Sequence, residues 1–397
     1  MDQPVTIVLS GIGGMGGVYV AELLDRADEG TFRIVGAADP EPRRCPRLAD
    51  LEALGIPVVP ALEDFYAGGR AELAVLSSPI PFHAPQTTLA LSYGSRVLCE
   101  KPLAATVREA EAMREARDRF GGWVAVGYQW SFSEAIQGLK TDILAGAFGR
   151  PKRLSCLYLW PRDDAYYGRS SWAGRIKDAA GRWILDSPAN NALAHDLHNM
   201  LYVLGPATAQ SARPVEVRAE LYRANAIENY DTAAVRIRTD AGVEILFLAS
   251  HAGRRDPGPV LSYEFERATV MASGRGADIK AFFPDGRVRS YGSPDEQPMK
   301  KLWDAIASVR NGAAPVCGIE AASAQTLVIN GMQDSAPEIV DFPDALRRRE
   351  ETPTGGRIWV EGLDEVFERC YAEGALPSEI EPAVAWTRPG HLITLSK

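Results

Sequence analysis

The stretch that decides the fold is Gly11-Ile12-Gly13-Gly14-Met15-Gly16. The apolar run Val5–Ser10 before it predicts a buried strand, and Val18–Leu24 after it predicts a helix. A G-x-G-x-x-G turn between a strand and a helix is typical of a dinucleotide site. Its glycines permit a tight turn, the approach of backbone amides to a pyrophosphate, and close packing of the helix on the strand. The alternative is a glycine-rich turn without a ligand.

The next predicted strand, Phe32–Asp39, ends in a carboxylate. Asp39 lies 23 residues beyond Gly16, near the spacing at which an acid meets the ribose 2′-hydroxyl of NAD. A carboxylate there repels the 2′-phosphate of NADP. Arg43 and Arg44 follow closely and could reach such a phosphate. The residues therefore favour NAD as the cofactor and leave NADP open.

Strand and helix patterns alternate through the first third of the chain. Examples are Leu73–Ser78, Arg96–Glu100, Thr106–Phe120 and Trp123–Tyr128. This alternation predicts an α/β domain over residues 1–128, a Rossmann domain with a doubly wound parallel sheet that binds NAD(P).

After about residue 130 the pattern changes to long alternating strands, with helices at Ser133–Leu144 and Ala189–Leu204. We expect a second, α+β domain over residues 129–342, an antiparallel sheet with helices on one face. Its predicted strands are Arg153–Trp160, Val215–Tyr222, Asp231–Arg238, Val243–Ser250 and Tyr263–Ala272. Residues 343–397 form a C-terminal extension, which we expect to pack on the second domain or on a neighbouring subunit.

The composition disfavours several classes of partner. The net charge of −9 argues against nucleic acid or an anionic membrane, since either would need a basic surface. No apolar run approaches the length that spans a bilayer, and the N-terminus lacks the basic region of a signal peptide. Five scattered cysteines without a C-x-x-C pair are typical of reduced thiols. We therefore expect a cytoplasmic protein with a small-molecule substrate.

Two clusters carry candidate chemistry. Lys101 follows the run Arg96–Cys99, where a later strand of the sheet would bring a side chain to the nicotinamide end. Asn191, His195 and His198 have i, i+4 and i+7 spacing, which places them on one face of a helix. A histidine can take the proton of a hydroxyl group while Lys101 holds the same oxygen. The alternatives are a buried structural histidine or a zinc site, but no third zinc ligand is evident and we predict no metal.

Further residues flank these clusters. Ser78 and His83 follow the fourth predicted strand near the cofactor edge, where His83 suits a positioning role. With the glycine turn, Asp39, Glu100 and Lys101, they complete the predicted cofactor set. The stretch Trp160–Trp172 holds a third group, in which Arg162, Tyr166 and Trp172 would bind a sugar through stacked rings and polar groups. The alternative is that these aromatic residues belong to a core or an interface.

These residues resemble the glucose–fructose oxidoreductase / inositol dehydrogenase (Gfo/Idh/MocA) family. The resemblance covers roughly residues 5–335 and rests on the glycine turn, Asp39, Pro79–His83, Glu100-Lys101-Pro102 and the helix that carries His195. It implies a Rossmann domain, a second domain with an open, mostly antiparallel sheet that binds substrate and forms oligomers, and a cleft between the two. The implied substrates are sugars, inositols and related polyols. The catalytic residues of the family would map to Lys101 and His195.

The sequence departs from the family at several points. Asn191 stands where the family has an aspartate, four residues before His195, and an amide cannot tune the pKa of a histidine as a carboxylate does. His198 occupies the later aspartate position and is a candidate relay and substrate residue. Tyr128-Gln129-Trp130 replaces an arginine after the sixth strand, which makes Tyr128 and Trp130 candidate substrate contacts.

The predicted function is that of an NAD(P)-dependent oxidoreductase acting on a secondary alcohol of a sugar, glycoside or cyclic polyol. One alternative is a redox-neutral, NAD-dependent enzyme that cleaves glycosides. Another is a non-catalytic NAD-binding sensor. The family resemblance and a sheet with an exposed face both lead us to expect a homodimer or homotetramer.

Overall fold

The computed structural model describes residues 3–395, which form two compact units. The first, which we call the Rossmann unit, comprises Met1–Phe132 and Gln297–Ser323. The second, which we call the sheet unit, comprises Ser133–Glu296 and Ala324–Lys397. The sequence-based division placed residues 297–323 in the second domain. They pack instead with the first unit, because this segment supplies a buried lysine that pairs with a carboxylate there.

The Rossmann unit is built on a six-stranded parallel sheet of order β3-β2-β1-β4-β5-β6. This order confirms the predicted doubly wound fold, with its change of direction between β1 and β4. The strands are β1 Val5–Ser10, β2 Phe32–Ala38, β3 Val58–Val59, β4 Leu73–Leu76, β5 Arg96–Cys99 and β6 Val124–Val126. The helices are α1 Met15–Asp25, α2 Leu48–Ala53, α3 Leu62–Gly68, α4 His83–Ser92 and α5 Val107–Phe120.

The sheet unit contains a larger mixed sheet of order β14-β13-β12-β11-β7-β10-β9-β8-β15, with β18 also paired to β8. All its pairs are antiparallel except β7 with β10 and β8 with β15. The strands of this unit are β7 Pro151–Leu159, β8 Pro214–Arg223, β9 Thr232–Thr239, β10 Glu244–Ser250, β11 Gly258–Phe265, β12 Thr269–Ser273, β13 Ile279–Phe282, β14 Val288–Gly292, β15 Val340–Asp341, β16 Arg347–Thr352, β17 Gly355–Val360 and β18 Ile393–Thr394. The remaining helices of the chain are α6 Glu134–Leu144, α7 Asp164–Gly168, α8 Ala194–Val203, α9 Lys300–Asn311, α10 Ile319–Ser335 and α11 Leu363–Glu373.

One predicted strand of this sheet is a hairpin. The stretch Tyr263–Ala272 was expected to be continuous, but β11 ends at Phe265 and β12 begins at Thr269. The N–H of Phe265 donates to the carbonyl of Ala268 at 2.9 Å and closes the turn. The two residues between them are charged and exposed, which interrupts the alternation of buried and exposed positions.

The C-terminal segment covers one face of the large sheet. Phe367 of α11 and Trp386 belong to one buried cluster with Leu157 and Leu159 of β7 and Leu246 of β10. On strand β7, successive side chains face opposite sides, and helix α8 also packs against this strand. The expectation of helices on one face only is therefore wrong, because the residues after 342 bring a second apolar layer to the central strands.

Among residues 3–395, no helix combines the length and the apolar character needed to cross a bilayer. The five cysteines are buried and form no disulfide.

Candidate active site

The glycine turn joins β1 to α1 at the carboxyl edge of the parallel sheet. Gly11 has a φ of +75°, and a Cβ at this residue would lie 2.7 Å from the backbone nitrogen of Ser78. A Cβ on Gly16 would lie 1.7 Å from the carbonyl oxygen of Gly11. A side chain at either position would collide with backbone, so only glycine permits this close packing of turn, helix and neighbouring strand.

The carboxylate of Asp39 lies on the turn. Its Oδ2 accepts hydrogen bonds from the backbone N–H groups of Ile12 at 2.8 Å and Gly13 at 3.4 Å, and its Oδ1 accepts from the N–H of Glu41 at 2.7 Å. An acid held here favours a ribose hydroxyl and repels a 2′-phosphate. Arg44, a candidate contact for such a phosphate, instead forms an exposed ion pair with Glu41 at 2.7 Å.

The start of helix α1 suits an anionic group. Gly14 precedes its first turn, which has no side-chain cap and no acidic residue. Backbone N–H groups at the N-terminus of a helix carry partial positive charge and bind phosphate oxygens. The close-packed glycines, this helix end and Asp39 together fit a dinucleotide, which residues 11–16 and Asp39 would hold.

Glu100 is buried inside the Rossmann unit. It is 7% exposed, and its carboxylate accepts hydrogen bonds from the Tyr19 hydroxyl at 2.6 Å and from Nζ of Lys301. Burial alone would raise the pKa of Glu100, but the charge and hydrogen bond of Lys301 and the Tyr19 hydroxyl outweigh it and hold the pKa below its ordinary value. The carboxylate also accepts from the backbone N–H of Lys101 at 3.1 Å. Glu100 therefore positions Lys101 from within, and its role as a cofactor contact stays a prediction.

Lys101 lies just beyond β5, at the same edge of the sheet as the glycine turn. The residue is partly exposed. In open parallel sheets, ligands bind outside the carboxyl ends of the strands, next to the point where the strand order reverses. The catalytic role of Lys101 stays a prediction, and its position agrees with that role.

His83 connects two loops of this edge. Its Nδ1 lies 2.8 Å from the carbonyl oxygen of Pro102, and its Nε2 lies 2.9 Å from the carbonyl oxygen of Ser78. The ring is 1% exposed, and burial lowers the pKa of His83. Because both ring nitrogens face backbone oxygens, His83 is a positioning residue. Ser78 donates from Oγ to Gln86 at 2.6 Å.

Tyr128 and Trp130 are core residues of the Rossmann unit. Tyr128 is 0% exposed and Trp130 is 7% exposed. Burial raises the pKa of Tyr128 well above its ordinary value. The chain leaves β6 and enters the short 3₁₀ helix Gln129–Phe132, which turns these rings inward. The prediction that they form an open substrate surface is therefore not supported by their burial.

The predicted helix Ala189–Leu204 is broken near its start. Pro188–Ala192 form a π-helical turn, in which the N–H of Leu193 donates to the carbonyl of Pro188 at 2.8 Å. The α-helix begins only at Ala194. A π turn is wider than an α turn and occurs often at functional sites.

The break changes the partners of Asn191. The i, i+4, i+7 alignment assumed a continuous α-helix, and Asn191 lies outside α8. Its Nδ2 donates to Oδ1 of Asp186 at 2.8 Å. Asp186 is 2% exposed and also accepts from the N–H of Gly174 at 2.6 Å and from Arg169 at 3.3 Å. The structure thus supplies a carboxylate behind Asn191, although helical spacing had placed Asp186 out of register.

The two histidines of α8 differ sharply. His195 lies in the first turn and is partly exposed. His198 is 1% exposed, and its ring stacks on Tyr202 with centroids 5.6 Å apart. Burial, with the charge of Lys140, lowers the pKa of His198 to about 3. His198 is therefore a neutral core residue. Its burial does not favour a role as a relay or substrate residue, which stays a prediction.

The predicted sugar-binding residues lie together in a row of alternating cations and rings. Cζ of Arg162 lies 3.5 Å from the ring centroid of Trp160 and 4.4 Å from that of Tyr166. Cζ of Arg169 lies 3.8 Å from the Tyr166 centroid and 4.8 Å from that of Trp172. We call these five residues the cation–aromatic row. Desolvation by burial is the main cause that raises the pKa of Tyr166, to about 12.

Sequence reasoning missed four residues that shape these sites: Tyr19, Asp186, His251 and Lys301. Tyr19, His251 and Lys301 have partners far away in the sequence, so no local spacing indicates them. The π turn makes the short link between Asp186 and Asn191 invisible to a helical pattern. No group of three or more His, Cys, Asp or Glu side chains suited to a metal ion occurs within residues 3–395.

Comparison with known proteins agrees with this geometry. Residues 5–128 match the family model GFO_IDH_MocA, described as an oxidoreductase family with an NAD-binding Rossmann fold. Inositol 2-dehydrogenase of Rubrobacter xylanophilus is 33% identical over 151 residues, 38% of this chain and 42% of that protein. The 1-carboxy-3-chloro-3,4-dihydroxycyclohexa-1,5-diene dehydrogenase of Comamonas testosteroni is 29% identical over 35% of each chain. These alignments span less than half the length of the relatives.

A solved structure extends the likeness to the fold of both units. The WlbA dehydrogenase of Bordetella pertussis, in complex with NADH and UDP-GlcNAcA, matches with a TM-score of 0.70 and 22% identity over 83% of this chain and 97% of its own. The match confirms the predicted architecture of a Rossmann fold followed by a mostly antiparallel sheet. The family model over residues 5–128, the relatives and the fold agree with the resemblance first seen in the sequence, and they identify the first part of the chain as similar to an oxidoreductase family with an NAD-binding Rossmann fold.

Proposed function

We propose that this protein is an NAD-dependent dehydrogenase that oxidises a secondary alcohol on a sugar or a cyclic polyol. The observation that carries the proposal is the position of Lys101 beyond β5, at the sheet edge that also holds the glycine turn and Asp39. The activities of the relatives support the class, since they are dehydrogenases of inositol and of a carboxylated cyclic diol. UDP-GlcNAcA, bound by the structural neighbour, is a sugar derivative.

The residues divide the work of alcohol oxidation as follows. NAD, when bound, accepts the hydride. The ammonium group of Lys101 stabilises the negative charge that develops on the alcohol oxygen, and Glu100 holds the backbone of Lys101 in position. His195 takes the hydroxyl proton. Asn191, fixed by the carboxylate of Asp186, orients a neighbouring hydroxyl of the substrate.

Absorbance of reduced nicotinamide tests the proposal directly. Purified protein is mixed with NAD or NADP and with a panel of sugars, inositols and glycosides. We expect a rise with NAD and at least one member of the panel, and a weaker rise with NADP because Asp39 repels the 2′-phosphate. Consumption of a glycoside without any rise would favour the redox-neutral reaction. Binding of NAD with no consumption across the panel would contradict the enzyme.

Replacing Lys101 tests the assigned chemistry. We expect Lys101→Ala to lower kcat by about 100-fold or more while NAD binding, measured by calorimetry, stays within about twofold. Lys300→Ala is the matched control, because Lys300 lies in the same unit and pairs with Asp304 near the surface at 2.7 Å. Retained turnover in Lys101→Ala would exclude this lysine from the reaction.

A further inference from the structure

Arg162 differs from the other charged residues of the cation–aromatic row. Its guanidinium lies against the rings of Trp160 and Tyr166, at 3.5 and 4.4 Å. Among residues 3–395, no carboxylate lies within ion-pair distance of it, and its buried Nε has no hydrogen-bond partner. Burial lowers the pKa of Arg162, whereas the other arginines with a resolved shift have it raised. A half-buried cation without a counter-ion is costly unless a ligand supplies one.

The nearest acids in the sequence are committed elsewhere. Asp163 accepts from the hydroxyl of Thr354 and caps α7 through the N–H of Tyr166 at 2.9 Å. Asp164 pairs with Arg349 at 2.6 Å. Both carboxylates therefore bind the β16–β17 hairpin or a helix end. Neither forms an ion pair with Arg162, although both are its neighbours in the sequence.

The other charges around Arg162 are already balanced. Arg169 pairs with Asp186 at 3.3 Å, and Arg275, whose Cζ lies 4.7 Å from the Trp160 centroid, pairs with Asp256 at 2.7 Å. His251 packs edge-on against Tyr166, and burial, with the charges of Arg162 and Arg169, lowers its pKa well below the ordinary value. The ring is therefore neutral. Arg162 forms no ion pair with any of residues 3–395, although its charge, after the hydrogen bond from Thr354, contributes to the lowered pKa of Asp163.

His251 adds a polar atom next to this charge. It lines a recess with Tyr166, Tyr167 and Asp186 that is too narrow for a water molecule and that Arg162 does not line. Its Nδ1 lies 3.3 Å from the Tyr167 hydroxyl, and its Nε2 is buried without a hydrogen-bond partner in the described chain. In the tautomer that accepts from Tyr167, Nε2 carries the proton, and this proton has no acceptor among residues 3–395.

We propose that Arg162 binds a carboxylate of the substrate, so that the natural substrate is a sugar acid or a carboxylated cyclic polyol. This inference rests on the proposed function and narrows its substrate class. A planar guanidinium pairs with a carboxylate through two parallel hydrogen bonds. A single uncompensated charge matches the single charge of a carboxylate better than a phosphate dianion. A neutral hydroxyl would leave the charge of Arg162 unbalanced.

Binding of matched ligands tests the proposal without requiring turnover. The intact protein is titrated calorimetrically, with NAD present, with C6 uronates, their neutral sugars and the corresponding sugar 6-phosphates. We expect at least one uronate to bind about tenfold or more tightly than its neutral counterpart. Arg162→Gln should weaken uronate binding by roughly 10- to 100-fold and weaken the binding of neutral sugars far less. Arg162→Lys, which keeps the charge without the planar fork, should retain part of the preference.

The matched control is Arg275→Gln, because Arg275 lies against the same Trp160 ring but has its own counter-ion. It should leave the preference for uronates unchanged. No uronate preference, or an equal preference in Arg162→Gln, would overturn the inference, as would tighter, Arg162-dependent binding of sugar phosphates. If uronates bind through Arg162 and no NADH forms, the proposed function fails and the inference stands. If neutral sugars are oxidised with NAD while the wild-type protein shows no preference for uronates, the proposed function stands and the inference fails.

Discussion

The pairing of Glu100 with Lys301 shows how much a single residue depends on its surroundings. Both side chains are nearly inaccessible, at 9% and 1% exposure. Their mutual attraction and the Tyr19 hydroxyl offset the cost of removing two charges from water. The neighbouring Lys101 is partly exposed, and its backbone N–H donates to the Glu100 carboxylate at 3.1 Å. Two adjacent charged residues therefore have different tasks, one inside the fold and one at its edge.

Removing one partner of this pair should destabilise the protein strongly. Lys301→Met leaves the Glu100 carboxylate buried without its counter-ion, and we expect the free energy of unfolding to fall by about 3–5 kcal/mol. Urea denaturation measures the change. Lys300→Met is the matched control, since its ion pair with Asp304 is 28% and 35% exposed and should contribute about 0–1 kcal/mol. Equal effects of the two variants would contradict the assigned role.

The same pair predicts a dependence on pH. Because the pKa of Glu100 is lower in the folded protein than in the unfolded chain, its contribution is present above the unfolded pKa. It is lost as the pH falls through the folded pKa. The difference in stability between wild type and Lys301→Met should therefore shrink in acid.

Asn191 is a second residue whose structural role depends on its hydrogen-bond partner. Asn191→Asp would restore the aspartate that the family has at this position. It would also place a second carboxylate where the amide now donates to Asp186 at 2.8 Å. We expect this substitution to lower stability by about 1–3 kcal/mol, because a hydrogen bond is replaced by repulsion. Thermal unfolding measures it. The double variant Asp186→Asn/Asn191→Asp should recover most of the loss, and a stable single variant would contradict this account.

At the scale of secondary-structure elements, the π turn Pro188–Ala192 separates Asn191 from the helix that carries His195. The turn begins at Ser187, whose Oγ accepts from the N–H of Asn190 at 3.2 Å, and proline follows at the first position. Helix α8 can then pack its apolar residues on β7 while Asn191 faces Asp186. The break thus allows both the packing of α8 on β7 and the hydrogen bond between Asn191 and Asp186.

Helix α11 packs on the central strands of the large sheet. Phe367 is 0% exposed within the cluster that joins this helix to β7 and β10. We expect Phe367→Ala to lower the free energy of unfolding by about 3–5 kcal/mol, because it leaves a cavity in a well-packed layer. Phe120→Ala is the matched control, since this ring at the end of α5 is 40% exposed. Denaturation in urea compares the two variants. A loss of unfolding free energy below about 1 kcal/mol for Phe367→Ala would contradict the role assigned to helix α11.

At the scale of the whole molecule, the C-terminal segment changes the argument about assembly. The expectation of a homodimer or homotetramer rested partly on a sheet with an exposed face. Residues after 342 cover the central strands of that face, whereas Met271, Phe282 and Val288 on β12–β14 stay 41–55% exposed. Homo-oligomer formation stays a prediction. The exposed apolar side chains on the outer strands β12–β14 are the part of the sheet face that still supports it.

Much of the fold could be predicted because its signals are local. Strand–turn–helix order, buried runs and turn glycines depend on neighbours a few residues apart, and they located the Rossmann unit and most strands of the large sheet. The β11–β12 hairpin and the π turn were missed, since each breaks a periodic pattern for only a few residues. Within the site, the same strand–turn–helix order predicted that the glycine turn, Asp39 and Lys101 lie at the ends of their strands.

The sequence by itself determined the NAD-binding Rossmann architecture, the residues of the turn and the identity of the lysine at the sheet edge. Only the tertiary structure decided which charges are paired. Glu100 forms an ion pair with Lys301, 201 residues away. Asn191 donates a hydrogen bond to Asp186 across a π turn. Arg162 forms no ion pair with a carboxylate of the described chain. The reason is physical: a charge interacts with what lies within a few ångströms, and the packing of distant elements sets those distances.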